Sequence, residues 1–273
     1  MKANSLKVVG HTISFFDVNP DEKTTLLFIH GNSMSKQLFQ NQLKSKVFCN
    51  FRMISFDLIG FGESSHSNQP SEEYNVPYYA ELTSHFIKKL NLENVFLIGH
   101  SLGGHIAVEF SGRYEDEIKG FLAVATPPLG IPADIPAAFL PNPVANLLFK
   151  AALTKDEVIE FSNNVANSIH QDIVVASIDS SHPIVREKIG ESIINQNYLD
   201  EIAVLNDIEM PYALVLGSKD KLCNQDYFKK YPFNNQWRGK LNIIKRGSHN
   251  PFIDQPDEIN EVILAFLKEN SVL

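Results

Sequence analysis

One short run of the sequence, residues 99–103, reads Gly-His-Ser-Leu-Gly and places Ser101 in a G-x-S-x-G pattern. An apolar run, Val95 to Ile98, precedes it, and a helical pattern that begins at Leu102 follows it. Between a strand and a helix, this pattern predicts a tight turn that exposes the serine hydroxyl at the helix N-terminus, where the helix dipole favours negative charge. The sequence therefore indicates Ser101 as a nucleophile.

A serine hydroxyl attacks a carbonyl only when a base removes its proton, and the chain offers nine histidines. His249 fits best, because it follows the last predicted strand and agrees with the chain order Ser, Asp, His. Loops that leave the carboxyl ends of parallel strands meet at one edge of a sheet, so His249 is expected near Ser101. His100, which flanks the serine, is expected to shape the substrate pocket.

The imidazole needs a carboxylate that fixes its tautomer and stabilises its protonated form. Asp220 is the predicted acid, because it follows the apolar run 214–216 and a turn at Gly217. Asp226 and Asp254 are the alternatives.

The run His30 to Met34 follows another apolar strand and predicts the loop that binds a reaction oxyanion. The backbone N–H groups of Asn32 and Leu102 are the expected donors, and fixed donors of this kind stabilise the transition state by several kcal/mol. We also predict substrate contacts from Ser33 and Met34, and from Phe61 in the turn-rich loop 57–64.

The elements that must position these residues follow an alternating pattern. Weak alternation over residues 6–18 predicts a starting hairpin, and helical patterns cover 76–90, 102–114 and 256–268. Short apolar runs predict buried strands at 25–29, 52–56, 95–98, 121–125, 213–216 and 241–244. This alternation predicts an α/β fold with a doubly wound, mostly parallel, eight-stranded sheet.

The alternation stops between Pro127 and Asn206, where a proline-rich passage is followed only by helical patterns. One of these patterns starts with a capping box, in which Thr154 and Glu157 satisfy free backbone N–H groups. We therefore predict a helical cap at 127–207, inserted into a core made of 1–126 and 208–273.

Composition limits the function classes. The net charge is −8 and no cluster of Lys and Arg is present, which argues against nucleic-acid binding. No apolar run reaches the roughly 18 residues of a membrane span, and the N-terminus lacks the pattern of a secretory leader. The two cysteines, Cys49 and Cys223, are predicted to be buried thiols, which suits a cytoplasmic protein. The expected partner is a small-molecule substrate, and the expected state a monomer or homodimer.

Together the motifs resemble the α/β-hydrolase superfamily. They are found in order at 30–32, 57–62, 99–104, 217–220 and 247–249. A narrower set of runs, at 103–105, 126–128, 154–161, 235–240 and 247–252, resembles the AidH-type N-acyl-homoserine-lactone lactonases, which are metal-independent, quorum-quenching hydrolases.

This resemblance implies lactone opening by a Ser-His-Asp triad, with no metal and no cofactor. It implies a substrate contact from Trp237, and the apolar cap adds Phe149 and Phe161 as residues that could line an acyl channel. Two positions depart from the family. Lys221 stands where the family has a glutamate that serves as the triad acid, so Asp220 must take that role. Phe161 stands where the family has a cap tyrosine.

Other functions remain open at the level of sequence. A carboxylesterase, or another hydrolase of ester or C–C bonds, would use the same triad. A metal-dependent lactonase would need clustered ligands such as His-x-His-x-Asp-His, and the chain contains no His-x-His. A binding module that has lost catalysis would lack a triad member, whereas all three are present.

Overall fold

The computed structural model describes residues 1–167, 170–231 and 233–270. The described residues form one eight-stranded sheet in the order β1-β2-β4-β3-β5-β6-β7-β8. The strands are β1 (Asn4–Val8), β2 (His11–Val18), β3 (Thr25–Ile29), β4 (Arg52–Phe56), β5 (Val95–His100), β6 (Gly120–Val124), β7 (Tyr212–Gly217) and β8 (Asn242–Ile244).

The sheet begins as the predicted hairpin and continues as a parallel array. Strands β1 and β2 are antiparallel to each other, and β2 is antiparallel to β4. All further pairs, from β4 to β8, are parallel. The predicted fold class is therefore confirmed. Strands β3 and β4 have the predicted bounds, and the bounds of the other strands differ from the prediction by at most two residues.

Helices cover both faces of the sheet. They are α1 (Gln40–Leu43), α2 (Pro70–Glu73), α3 (Val76–Lys89), α4 (Leu102–Arg113), α5 (Ile135–Ala138), α6 (Lys155–Val165), α7 (Gln171–Asp179), α8 (Val185–Ile194), α9 (Glu201–Asp207), α10 (Pro251–Asp254) and α11 (Pro256–Glu269). Helix α3 begins where the Asn75 side chain accepts a hydrogen bond from the Tyr78 N–H, which satisfies a backbone donor of the first turn.

Two apolar clusters form the core, one on each face of the sheet. In β3, Leu27 and Ile29 belong to one cluster while Leu26 and Phe28 belong to the other. Successive side chains of a strand point to opposite faces, so a strand covered on both sides must be apolar throughout. This requirement explains why the parallel strands read as unbroken apolar runs.

The chain between β6 and β7 contains helices α5 to α9 and, within the described residues, no strand of the sheet. The capping box of α6 is present, with Thr154 and Glu157 bonding to each other's backbone N–H. The division of the chain at residues 127 and 207 stays a prediction. Its ranges include 168, 169, 232 and 271–273, which lie outside the described residues.

The two cysteines differ in exposure. Cys223 is buried, as predicted, but Cys49 is exposed, because it lies in the loop between a 3₁₀ turn at Lys46–Phe48 and strand β4. The expectation of two buried thiols was therefore wrong for Cys49. Within the described residues, no helix has the length and apolarity that a membrane crossing requires.

Helix α4 starts unusually close to the neighbouring strand β3. A Cβ atom on Gly103 would overlap the backbone carbonyl of Ile29, and one on Gly99 would overlap the backbone of Gly103. Strand β5, helix α4 and strand β3 can therefore meet only if these positions carry no side chain.

We expect Gly103→Ala to lower the free energy of unfolding by at least about 1–3 kcal/mol. The added methyl group would overlap the backbone of β3, which cannot move aside as a flexible side chain could. Gly130→Ala is the matched control, because the nearest atom to its added Cβ is at 3.4 Å, which is ordinary contact. Urea denaturation followed by circular dichroism measures both. Equal stabilities of the two variants would contradict the proposed close approach.

Candidate active site

Ser101 occupies a strained turn between β5 and α4. Its backbone has φ 50° and ψ −113°, a region that non-glycine residues rarely adopt. The strain is held by hydrogen bonds, since the Ser101 N–H donates to the Val124 carbonyl at 2.8 Å and the Thr126 hydroxyl donates to the Ser101 carbonyl at 3.0 Å. The sharp turn exposes the serine to a narrow cleft that it shares with His249.

His249 and Asp220 form a buried, hydrogen-bonded pair. His249 Nδ1 lies 2.9 Å from Asp220 Oδ2, while Asp220 Oδ1 accepts from the N–H groups of Leu222 and Cys223 at 2.7 and 3.0 Å. Both oxygens of the carboxylate are thus held by hydrogen bonds, and the bond to Oδ2 requires the ring proton to sit on Nδ1. The other ring nitrogen, Nε2, is then free to accept a proton.

Opposing effects set the charge of Asp220. Burial alone would raise the pKa of this carboxyl group. The charge of His249, the hydrogen bond from its ring and the two backbone N–H groups outweigh burial and lower the pKa below its ordinary value. Asp220 therefore stays ionised beside the imidazole.

The other two candidate acids lie elsewhere. Asp226 is exposed and pairs with Lys229 at 2.6 Å. Asp254 accepts from the N–H groups of Ser248 and Asn167 at 3.1 and 3.2 Å, so it supports the loop that carries His249 without contacting the ring. Lys221, next to Asp220, reaches outward toward the end of α6, where its ammonium donates to a backbone carbonyl at 3.4 Å.

The loop after β3 passes directly beside the nucleophile. A Cβ built on Gly31 would lie 3.1 Å from the Ser101 Cβ, which brings the following residue, Asn32, to the cleft. Neither the Asn32 N–H nor the Leu102 N–H donates to any acceptor among the described residues. Two backbone donors are therefore available beside Ser101.

His30 stabilises this loop, a role that the sequence did not reveal. Its Nδ1 donates to the Gly31 carbonyl at 2.8 Å, and its Nε2 accepts from the Leu58 N–H at 3.0 Å. Burial lowers the pKa of His30, which agrees with a neutral ring that donates at one nitrogen and accepts at the other.

A buried ion pair anchors the same loop. Lys36 Nζ lies 2.6 Å from Asp57 Oδ2 and 2.7 Å from Glu63 Oε2, and the Lys36 N–H donates to Asp57 Oδ1 at 2.7 Å. Both Lys36 and Asp57 are almost fully buried. The loop 57–64 is thus a structural support of the loop that follows β3.

We define the nucleophile cleft by the residues that line it. They are Asn32, Met34, His100, Ser101, Leu148, Phe161, Val165, His249 and Asn250. Of the predicted substrate residues, the structure brings Met34, His100 and Phe161 here. The free volume of the nucleophile cleft is about 10 Å³, enough for about one water molecule.

His100 supports the loop that carries His249. Its Nε2 donates to the backbone carbonyl of His249 at 2.8 Å. Burial and the neighbouring His249 lower the pKa of His100 to about 3, so its ring stays neutral.

Three other predicted substrate residues do not line the nucleophile cleft, and their substrate contacts stay predictions. Phe61 is fully buried and packs edge-on against His30, with ring centroids 5.2 Å apart. Ser33 is also fully buried, and its hydroxyl donates to Asn32 Oδ1 at 3.3 Å. Trp237 donates from Nε1 to Glu269 at 2.8 Å and packs on Phe266, away from the cleft.

A second cavity lies next to the cleft and is almost entirely apolar. We call it the apolar cavity; its volume is about 420 Å³. It is lined by His105, Leu129, Pro132, Ala133, Ile135, Phe139, Leu140, Ala145, Leu148, Phe149, Ile193, Ile194, Gln196 and Leu222. Leu148 lines both spaces, and its carbonyl accepts a hydrogen bond from Asn32 Nδ2 at 2.7 Å. Phe149, predicted as a substrate residue, belongs to the apolar cavity.

Comparisons with known proteins agree with this architecture. A family model for the alpha/beta hydrolase fold matches residues 24–159. AB hydrolase superfamily protein YisY of Bacillus subtilis is 25% identical over 252 residues, which cover 88% of this chain and 90% of that protein.

Two solved structures have similar folds. N-acyl homoserine lactonase AidH complexed with N-butanoyl homoserine has a TM-score of 0.94 and 24% identity, over 100% of this chain and 98% of that one. A thermophilic esterase from Thermogutta terrifontis has a TM-score of 0.78 and 17% identity, over 99% of both chains. The alpha/beta-hydrolase fold and the class of ester-bond hydrolase predicted from the sequence are thereby confirmed.

We expect Asp220→Asn to lower kcat for p-nitrophenyl acetate on the order of 10⁴-fold, because the amide favours the wrong imidazole tautomer. Asp226→Asn, an exposed aspartate, is the matched control and should change kcat by no more than about twofold, as surface substitutions usually do. Steady-state release of nitrophenolate measures both. A nearly silent Asp220→Asn together with an inactive Asp226→Asn or Asp254→Asn would assign the acid role elsewhere.

Proposed function

We propose that this chain, which is an α/β hydrolase acting on ester bonds, opens the lactone ring of N-acyl-homoserine lactones. The observation that carries the proposal is the adjacency of a tight cleft around Ser101 and an apolar cavity, joined at Leu148. A substrate with a small cyclic ester at one end and an alkyl chain at the other has the matching polarity, and the cleft of about 10 Å³ must widen to admit the ring.

In the proposed first step, Ser101 Oγ attacks the lactone carbonyl while His249 Nε2 takes the hydroxyl proton. The backbone N–H groups of Asn32 and Leu102 stabilise the negative charge that develops on the carbonyl oxygen. Collapse of the tetrahedral intermediate breaks the ring C–O bond, and His249 returns its proton to the departing oxygen. The alcohol stays tethered, since it is part of the acyl group.

In the second step, water is the nucleophile and Ser101 Oγ is the leaving group. His249 removes a proton from the water, which attacks the acyl-enzyme carbonyl, and the same proton returns to Ser101 Oγ when the ester bond breaks. The product is the open N-acyl homoserine. Asp220, ionised and hydrogen-bonded at 2.9 Å, stabilises the imidazolium in both steps.

The acyl chain would extend past Leu148 into the apolar cavity. Burial of each methylene contributes about 0.8 kcal/mol, so chain length acts on affinity there. Phe149, at 38% exposure, lies at this cavity and would contact the more distant part of the chain.

The AidH structure supports the proposal, since its name describes an N-acyl homoserine lactonase and its fold matches this chain over its whole length. The triad acid in this proposal is Asp220, because its carboxylate contacts the His249 ring, whereas the neighbouring Lys221 points toward the end of α6. Hydrolysis of such lactones would give the chain a quorum-quenching role. The proposed route uses only side chains and backbone donors, with no metal or cofactor. A cytoplasmic location and a monomeric or homodimeric state stay predictions.

A carboxylesterase acting on short acyl groups is the second candidate function. The small free volume of the nucleophile cleft, about 10 Å³, favours it. Phe161 carries no hydroxyl, and none of the described cap residues that line the cleft offers one to hold the lactone amide.

The functional test incubates the purified protein with acyl-homoserine lactones that carry from four to twelve acyl carbons. We expect ring-opened acids, seen by mass spectrometry as a gain of one water. Ser101→Ala should lower their rate of formation by several orders of magnitude, since the nucleophile is lost. Lactones that stay closed, beside rapid hydrolysis of short aryl esters by the same preparation, would decide for the carboxylesterase.

A further prediction concerns the apolar cavity. Phe149→Ala should lower kcat/KM for twelve-carbon substrates on the order of tenfold, the loss of about two buried methylenes at ~0.8 kcal/mol each, and leave four-carbon substrates nearly unchanged. Val47→Ala is the control, because Val47 is an exposed apolar residue on another part of the surface. The same loss for short and long chains would place the acyl group elsewhere.

A further inference from the structure

Cys223 is a buried thiol that the proposed mechanism does not use. Its Sγ donates to the Ala125 carbonyl at 3.3 Å and lies 3.8 Å from His249 Nδ1. Asp220 completes the group, and one ligand atom of each residue lies within 4.8 Å of the other two. A carboxylate, an imidazole nitrogen and a thiol thus converge on one point behind the catalytic base.

The spacing of these atoms approaches that of a tetrahedral metal centre. Zinc bonds of about 2.0–2.2 Å to nitrogen and oxygen and about 2.3 Å to sulfur place neighbouring ligand atoms roughly 3.3–3.6 Å apart. In the structure, Nδ1 lies 2.9 Å from Asp220 Oδ2 and 3.8 Å from Cys223 Sγ. The third pair, Cys223 Sγ and the Asp220 carboxylate, lies within 4.8 Å, so side-chain shifts of roughly an ångström or less would bring all three ligands to the spacing that zinc requires.

Charge and ligand softness favour the same class of ion. One carboxylate and one thiolate carry two negative charges, which a divalent cation neutralises, so the filled site adds no net charge to the interior. Thiolate and imidazole ligands select zinc and cadmium over magnesium and calcium.

We propose that Asp220, Cys223 and His249 form an inhibitory binding site for a soft divalent cation of the zinc type. Binding replaces the hydrogen bond between His249 and Asp220 by coordination of Nδ1 to the metal. The imidazole stays neutral, since its proton moves from Nδ1 to Nε2. The Cys223 thiol releases its own proton to solvent and binds as the thiolate.

The consequence for catalysis follows from the tautomer. With Nδ1 bound to metal and Nε2 protonated, His249 has no free lone pair toward Ser101 and cannot remove the hydroxyl proton. The ion therefore blocks the base from the side opposite the substrate. Such inhibition differs from metal-dependent hydrolysis, in which the ion raises the rate.

The experiment treats the enzyme with EDTA, removes the chelator and titrates zinc or cadmium against hydrolysis of p-nitrophenyl acetate. We expect inhibition of the wild-type enzyme and of Cys49→Ser, which removes the exposed cysteine. Cys223→Ser should need on the order of 10–100-fold more metal for the same inhibition. Equal sensitivity of Cys223→Ser and Cys49→Ser overturns the proposal.

A binding measurement makes the test independent of activity. Cadmium bound to a thiolate absorbs in the near ultraviolet, so Ser101→Ala, which keeps all three ligands, should develop this absorption on titration with cadmium. Adding Cys223→Ser or His249→Ala to Ser101→Ala should remove it, whereas adding Cys49→Ser should not. If the chain hydrolyses no ester, this absorption alone decides. Its absence in folded Ser101→Ala overturns the site.

Discussion

The turn at Ser101 is the constraint on which the rest of the active site depends. Strand β5 ends and helix α4 begins within one residue, and the backbone at Ser101 takes a conformation that costs of order 1–3 kcal/mol. Such a turn persists only because glycines at 99 and 103 allow backbones to touch and because strand β6 binds the Ser101 N–H. The position of the nucleophile is thus set by main-chain packing, and the loops after β3, β7 and β8 are arranged around it.

The buried imidazoles around this turn differ in their partners and in their charge. His30 and His100 are buried and neutral, because burial lowers the pKa of each ring. Asp220 is ionised beside His249, and the buried Asp57 is paired with Lys36. A positive charge that forms on His249 therefore meets a carboxylate and no competing cation among these buried rings.

Much of this arrangement follows from local sequence, and the remainder does not. Unbroken apolar runs gave the parallel strands, since strands covered on both faces admit little else, and chain order singled out Ser101, Asp220 and His249. The position of Trp237 could not be predicted, because its partner, Glu269, lies 32 residues away on another helix and no local pattern reports that contact. The burial of Phe61 could not be predicted either, because a turn-rich loop suggests exposure, whereas this loop packs inward against His30.

The hydrogen bond from Asn32 to the Leu148 carbonyl connects the entry of substrate with the position of the loop after β3. Leu148 lines both the cleft and the apolar cavity, so a chain that spanned the two would pass the residue whose carbonyl holds the Asn32 side chain. The same hydrogen bond would therefore be affected by substrate entry and would hold the loop after β3 in place. A substrate amide or carbonyl that formed a hydrogen bond with the freed Asn32 side chain would couple substrate binding to the position of the loop after β3.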